Sequence, residues 1–124
     1  MILAILLAIL GFLTVVPAHA KTGIIIPLYS YPETTETWEP LETVISTFPD
    51  VQFYVIVNPA SRPGPTNTNY QAAVTVLCMH VNMLLVSYVL MSFSARPLDK
   101  VQQDIKTYTG WPTMSSLAGI FFNE

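Results

Sequence analysis

The sequence predicts an α/β fold of parallel strands joined by helices, and three observations carry that prediction. Four short apolar runs, rich in β-branched and aromatic residues, recur along the chain without polar alternation, the pattern of strands in a covered parallel sheet. Between them lie segments whose apolar residues return at helical spacing. Successive units begin roughly thirty residues apart, the length of one βαβ step. The predicted order is βαβαβαβ.

The first run, Gly23 to Tyr29, reads as a strand buried on both faces. A polar stretch from Ser30 to Glu39 follows, punctuated by Pro32 and Pro40. Leu41, Val44, Ile45 and Phe48 then mark one side of a short amphipathic helix that Pro49-Asp50 closes. Val51 to Val57 is the second strand, ended by Asn58-Pro59, and Ala60 to Thr68 is a loop. Asn67 or Asn69 is placed to cap a helix running from about Tyr70 to Met79, with Ala73, Val74 and Leu77 on its apolar side. Met83 to Val89 is the third strand. Pro97 suits a first helical turn, and Leu98, Val101, Ile105 and Tyr108 form an apolar stripe behind it. Gly110-Trp111-Pro112 stops that helix, and Leu117 to Phe122 is the fourth strand.

The first twenty residues stand apart from this pattern. Ile2 to Val16 is apolar apart from one glycine and one threonine, Pro17 breaks it, and Ala18-His19-Ala20 supplies small residues for a cut after Ala20. This is the layout of a secretory signal peptide, so residues 1–20 are expected to be removed, and 21–124 to form one small domain. The apolar run is shorter than the ~20 residues of a spanning helix, so no stable membrane anchor is expected after cleavage.

The net charge of −3, with neither a basic patch nor a run of like charge, argues against a nucleic-acid partner. A single cysteine, Cys78, excludes an internal disulfide and reads as a small buried hydrophobe on a helix. His80 has no His, Cys or Asp partner at ligand spacing, so no metal is expected. Gly64 between Pro63 and Pro65 lacks the spacing and lysine of a phosphate loop, and no cofactor is expected. Trp38 and Trp111 read as packing at helix flanks.

Four strands and three helices match the first half of a TIM-type (β/α)8 barrel, preceded by the signal-peptide helix. An open four-stranded α/β sheet is the competing arrangement and would need helices on both faces. In the half-barrel, the first and fourth strands are open edges with apolar faces, which favours a homodimer through those edges.

In α/β barrels the working residues sit at the C-terminal ends of strands. Reading those ends gives Tyr29 and Tyr31, Asn58, Tyr88 and Ser92, then Asn123 and Glu124. Aromatic faces stack on sugar C–H surfaces while amides and acids take hydroxyls, so the set suits a carbohydrate. Each residue also has a structural reading: Asn58 as a strand-ending turn, Tyr29 and Tyr88 as wall residues, and Glu124 as a solvated terminus.

The blocks GIIIPLYSYP (23–32), FYVIVNPASRPGP (53–65), NYQAAVTVL (69–77), SYVLMSFSARPLDKVQQDIKTYTGWP (87–112) and GIFFNE (119–124) resemble, in order, the spherulation-specific family 4, or spherulin 4-like, proteins. The resemblance implies secreted, mostly fungal or slime-mould proteins with a TIM-type barrel. It also implies kinship with glycosidases of the endo-α-1,4-polygalactosaminidase type, and hence a galactosamine-containing polysaccharide as partner. Family members continue beyond the fourth strand, so the chain looks like an N-terminal half.

Three stretches depart from the family pattern. The fourth strand of relatives ends in an Asp-Glu pair, where this chain has Asn123-Glu124. Their third strand carries Gly-Tyr-Val, where this chain has Ser87-Tyr88-Val89, and Pro-Asn-Val at the second-helix exit is here Val81-Asn82-Met83. Glycoside hydrolysis normally uses two carboxyl groups. The resemblance places one of them at 123, where an amide cannot ionise, leaving Glu124 as half of a mechanism. The expectation is a glycoside-hydrolase-like fragment, inactive alone, in the extracellular space or cell wall. The alternative is a non-enzymatic wall, matrix or spore-associated protein that binds polysaccharide.

Overall fold

A computed structural model describes residues 22–64, 67–111 and 117–124. Residues 1–20, read above as a signal peptide with a cut after Ala20, lie outside the described residues, as do Pro65 in the second loop and Pro112 after the third helix. Seven elements follow in order: β1 (Gly23–Leu28), α1 (Glu39–Thr47), β2 (Gln52–Val57), α2 (Thr68–Leu77), β3 (Met83–Leu90), α3 (Leu98–Thr109) and β4 (Leu117–Asn123).

The strands form one sheet in the order β1-β2-β3-β4. Every pairing is parallel: Gly23 stands opposite Gln52, Phe53 opposite Met83, and Leu90 opposite Asn123. A register shift at Leu85/Val86 interrupts the β3–β4 ladder. Phe53, Val55 and Val57 of β2 alternate onto one face, as do Met83, Leu85 and Val89 of β3. That face meets Ile45 of α1, Tyr70, Ala73, Val74 and Leu77 of α2, and Val101 and Tyr108 of α3 in one core. Strand order that follows the chain, with all three helices packed on one face, is an arc of a (β/α)8 barrel. A doubly wound sheet reverses its strand order and carries helices on both faces.

The helix boundaries follow local chemistry. Asn67 caps α2, its Oδ1 accepting from the backbone N–H of Asn69 (2.9 Å) and Tyr70 (3.2 Å), so the helix begins at Thr68, two residues before the predicted start. Pro97 is the residue before α3, and Gly110 ends it. Trp38 and Trp111 are both buried at helix flanks, as predicted. Cys78 follows α2 as its C-cap and is partly buried against the core.

Three sequence expectations change. β1 is not buried on both faces: Ile24 and Ile25 are exposed because β1 is a sheet edge with no neighbour on one side among the described residues. Edge position also explains how Pro27, which has no N–H to donate, fits within a strand. In α1, Ile45 is fully buried but Val44 and Phe48 are exposed. In α3, Leu98 is exposed while Val101 and Tyr108 are buried. The apolar stripes of α1 and α3 are therefore wider than the surface the sheet offers them, whereas that of α2 is buried throughout.

Asn82 ties this layer together. Its side chain is buried, and Nδ2 donates to the carbonyls of Ile45 (3.0 Å), Phe48 (3.1 Å) and Val51 (3.1 Å). Its own carbonyl accepts from the N–H of Phe53 (2.8 Å) and from Gln52 Nε2 (2.9 Å). The exit of α1, which no capping glycine closes, is thus satisfied by one amide from the α2–β3 turn.

Candidate functional site

Tyr88 is the centre of the strand-end arrangement. It lies near the C-terminal end of β3 on the face opposite the helices, and its side chain is almost wholly buried. Tyr29, just beyond β1, meets it edge-on with ring centroids 5.8 Å apart. Phe121 of β4 flanks it at 6.1 Å. Asn123 Nδ2 donates to the Tyr88 hydroxyl oxygen at 2.8 Å. Parallel pairing creates this meeting: Tyr88 stands opposite Phe121, and Leu90 opposite Asn123, so both β4 side chains reach β3 on one face. Burial, and next the neighbouring Tyr88, push the Tyr29 hydroxyl above its usual range, so it is a neutral donor and acceptor at ordinary pH.

Tyr88 is held from behind as well. Its backbone carbonyl accepts a buried hydrogen bond from the Tyr108 hydroxyl at 2.9 Å. Burial, followed by Asp104 and Tyr70, raises the Tyr108 hydroxyl far above the ordinary tyrosine range. Trp111 packs beside the Tyr108 ring at 5.6 Å.

The other predicted site residues fall into different surroundings. Tyr31 meets Tyr70 edge-on at 5.5 Å, and its hydroxyl accepts from Asn67 Nδ2 at 2.9 Å, joining the β1–α1 loop to the cap of α2. Asn58 Oδ1 accepts from the Ser61 N–H at 2.6 Å, and the Asn58 carbonyl accepts from the Tyr70 hydroxyl at 3.4 Å. Those bonds shape the turn after β2. Ser92 opens a left-handed turn after β3 (φ 51°). Glu124 follows β4 and is exposed.

Of the seven residues singled out, the fold therefore gathers Tyr29 and Asn123 around Tyr88. Tyr31 and Asn58 belong to a neighbouring network around Tyr70. Phe121 joins the gathered set without having been singled out; its signal was parity, two positions before Asn123 on the same strand. Beside the Tyr70 network, Ala60, Ser61, Arg62, Leu90 and Arg96 line a cavity of about 260 Å³ between the loops after β2 and β3. Among the described residues, no group of three or more His, Cys, Asp or Glu side chains is placed to hold a metal ion, and no helix is long and apolar enough to cross a membrane.

Chemically, the gathered set offers a half-covered aromatic wall, two phenolic hydroxyls and an amide. It can hold a ring that presents both C–H faces and hydroxyls.

The chain is similar to the structure of Aspergillus clavatus Sph3 in complex with GalNAc, at 41% sequence identity and a TM-score of 0.75. The similarity covers 82% of this chain and 43% of that one, so the chain spans less than half of that relative's length. No curated protein matches the chain. The profile of the spherulation-specific family 4 matches residues 23–124, from the first residue of β1 to the end, and the chain belongs to that family.

Proposed function

We propose that this chain carries the strand-end arc of a glycoside-hydrolase-like carbohydrate site, binding a galactosamine-containing polysaccharide through Tyr29, Tyr88 and Asn123. The observation that carries the reading is the contact of Asn123 with the Tyr88 hydroxyl beside the Tyr29 ring. The similarity to a structure in complex with GalNAc supports the choice of sugar. Tyr31, Asn58 and Ser92 act one layer out, by shaping the loops around this centre. Glu124 is the acid of the pair, and Asn123 stands where its carboxylate partner is expected. These two residues alone do not supply the two carboxyl groups of hydrolysis, so the chain on its own binds without cutting.

The amide at 123 also favours a second reading, a non-enzymatic cell-wall, matrix or spore-associated protein that uses the same surface for adhesion. Titrating the full chain with galactosamine-containing oligosaccharides tests binding, and assaying new reducing ends separates the two readings. Saturable binding that Tyr88→Phe weakens is expected, without release of reducing ends. Release that survives Glu124→Gln would remove Glu124 from the reaction.

The apolar segment at the start directs export in this proposal, placing the protein outside the cell or in its wall. N-terminal sequencing of the exported chain should begin at Lys21. The exposed faces of β1 and β4, including Ile25 and Phe122, support self-association. Sedimentation across a concentration series should show a dimer; a monomer at every concentration would remove that part of the reading.

A further inference from the structure

Three successive residues after β3 adopt the left-handed backbone conformation: Ser92 (φ 51°), Phe93 (φ 53°) and Ser94 (φ 62°). Side chains other than glycine adopt this region as single residues, and a bulky one rarely does so at all. The turn is nevertheless firmly held. The Met91 N–H donates to the Asn123 carbonyl at 2.7 Å, Ala95 N–H to Ser92 at 2.9 Å, and Arg96 N–H to Met91 at 3.3 Å. Arg96 clamps it from the far side: Nη1 donates to the Leu90 carbonyl at 3.0 Å, while Nη2 pairs with Asp104 of α3 at 2.5 Å.

What this turn delivers is an aromatic ring in solvent. Phe93 is 80% exposed, so its burial does not compensate the backbone strain. The ring stands on the strand-end side of the sheet, because its turn grows directly out of β3 and is bonded to β4 at Asn123, the residue that contacts Tyr88. An exposed aromatic held at the same end of the sheet as Tyr29, Tyr88 and Asn123 can lay its face on the C–H surface of a sugar ring.

Resting on the sugar reading above, we infer that Phe93 is a stacking platform for a second unit of the same polysaccharide, next to the unit held at Tyr29, Tyr88 and Asn123. The inner group holds one ring, and Phe93 reads whether the chain of sugars continues. Affinity then grows with oligosaccharide length, and that growth depends on Phe93.

The test compares GalNAc with oligosaccharides of GalNAc by titration calorimetry on the full chain and on Phe93→Leu, Phe93→Tyr and Tyr88→Phe. Phe93→Leu should leave the monosaccharide affinity unchanged and lower the oligosaccharide affinity roughly two- to tenfold. Phe93→Tyr, which keeps an aromatic face, should retain it, and Tyr88→Phe should weaken both ligands. Equal oligosaccharide affinity in Phe93→Leu and the unsubstituted chain, with Tyr88→Phe still impaired, overturns the platform and leaves the sugar site standing. No binding of either ligand by the unsubstituted chain overturns both. A change in sedimentation with Phe93→Leu but none in sugar affinity would instead make Phe93 a protein contact and also overturn the platform.

Discussion

Asn123 donates from Nδ2 to the Tyr88 hydroxyl at 2.8 Å, and this direction matters. With its oxygen occupied by the amide, the Tyr88 hydroxyl keeps its own proton available for a ligand. A carboxylate at 123 could only accept, and would take that proton itself.

Asn123→Asp should therefore reverse the bond, strengthening the pair through a charged acceptor while removing the phenolic donor from a ligand. Asn123→Ala and Tyr88→Phe should each weaken GalNAc binding. The double variant should lose less than the sum, with a coupling of about 0.5–1.5 kcal/mol in a double-mutant cycle. Additive losses would show that the two groups contact sugar independently.

Asn82 is predicted to be among the costliest polar positions in the fold. Asn82→Ala leaves the carbonyls of Ile45, Phe48 and Val51 without their shared donor and should cost about 1–3 kcal/mol in urea unfolding. Asn82→Asp should be worse at neutral pH, since an ionised carboxylate meets three carbonyl oxygens. Those oxygens raise its folded pKa, so its stability is greatest in acid and falls as pH rises through the ordinary aspartate range near ~4.

Tyr108 predicts alkaline sensitivity. Its folded pKa is raised, chiefly by burial, so the folded state holds the proton more tightly than the unfolded chain. Its contribution is fully present below about pH 10 and is lost as pH rises above that value. Tyr108→Phe should lower stability at neutral pH by about 1 kcal/mol, for the lost bond to the Tyr88 carbonyl, and flatten the alkaline limb. Chemical denaturation across pH 7 to 11 measures both.

Arg96 is predicted to control the turn that carries Phe93. Its guanidinium serves a carbonyl and a largely buried carboxylate at once, which a lysine ammonium cannot do with the same geometry. Arg96→Lys should speed thermolysin cleavage next to Phe93 several-fold while barely moving the global unfolding midpoint. An unchanged cleavage rate would mean that the turn is held by its backbone bonds alone.

Ser87 offers a stabilising change. Its hydroxyl is buried in the helix-facing core without a hydrogen-bond partner among the described residues. Ser87→Ala removes a desolvated polar atom with little loss of volume, and should raise stability by up to about 1 kcal/mol. A fall of that size in the unfolding free energy would reveal a partner for the hydroxyl.

Much of this architecture is legible in the sequence. The runs at 23–29, 51–57 and 83–89 each became parallel strands because strand-forming apolar sequence and thirty-residue spacing are local properties. A cap at Asn67 or Asn69 is legible for the same reason, since a capping oxygen reaches only two and three residues ahead; the structure assigns it to Asn67. In the sequence Asn82 stands only as the middle of Val81-Asn82-Met83 at the second-helix exit; its importance lies in carbonyls more than thirty positions earlier, which no local pattern carries.

The candidate site divides along the same line. Sequence alone determined the repeated βα chemistry, the strand-end position of Tyr29, Tyr88 and Asn123, and the amide at 123. Tertiary structure decided that Tyr29 and Asn123 both meet Tyr88, that Tyr31 and Asn58 serve a different network, that Phe121 joins the wall, and that Phe93 stands in solvent. The reason is register: a side chain's face follows from counting along its own strand, but its neighbours follow from how strands distant in sequence slide against one another.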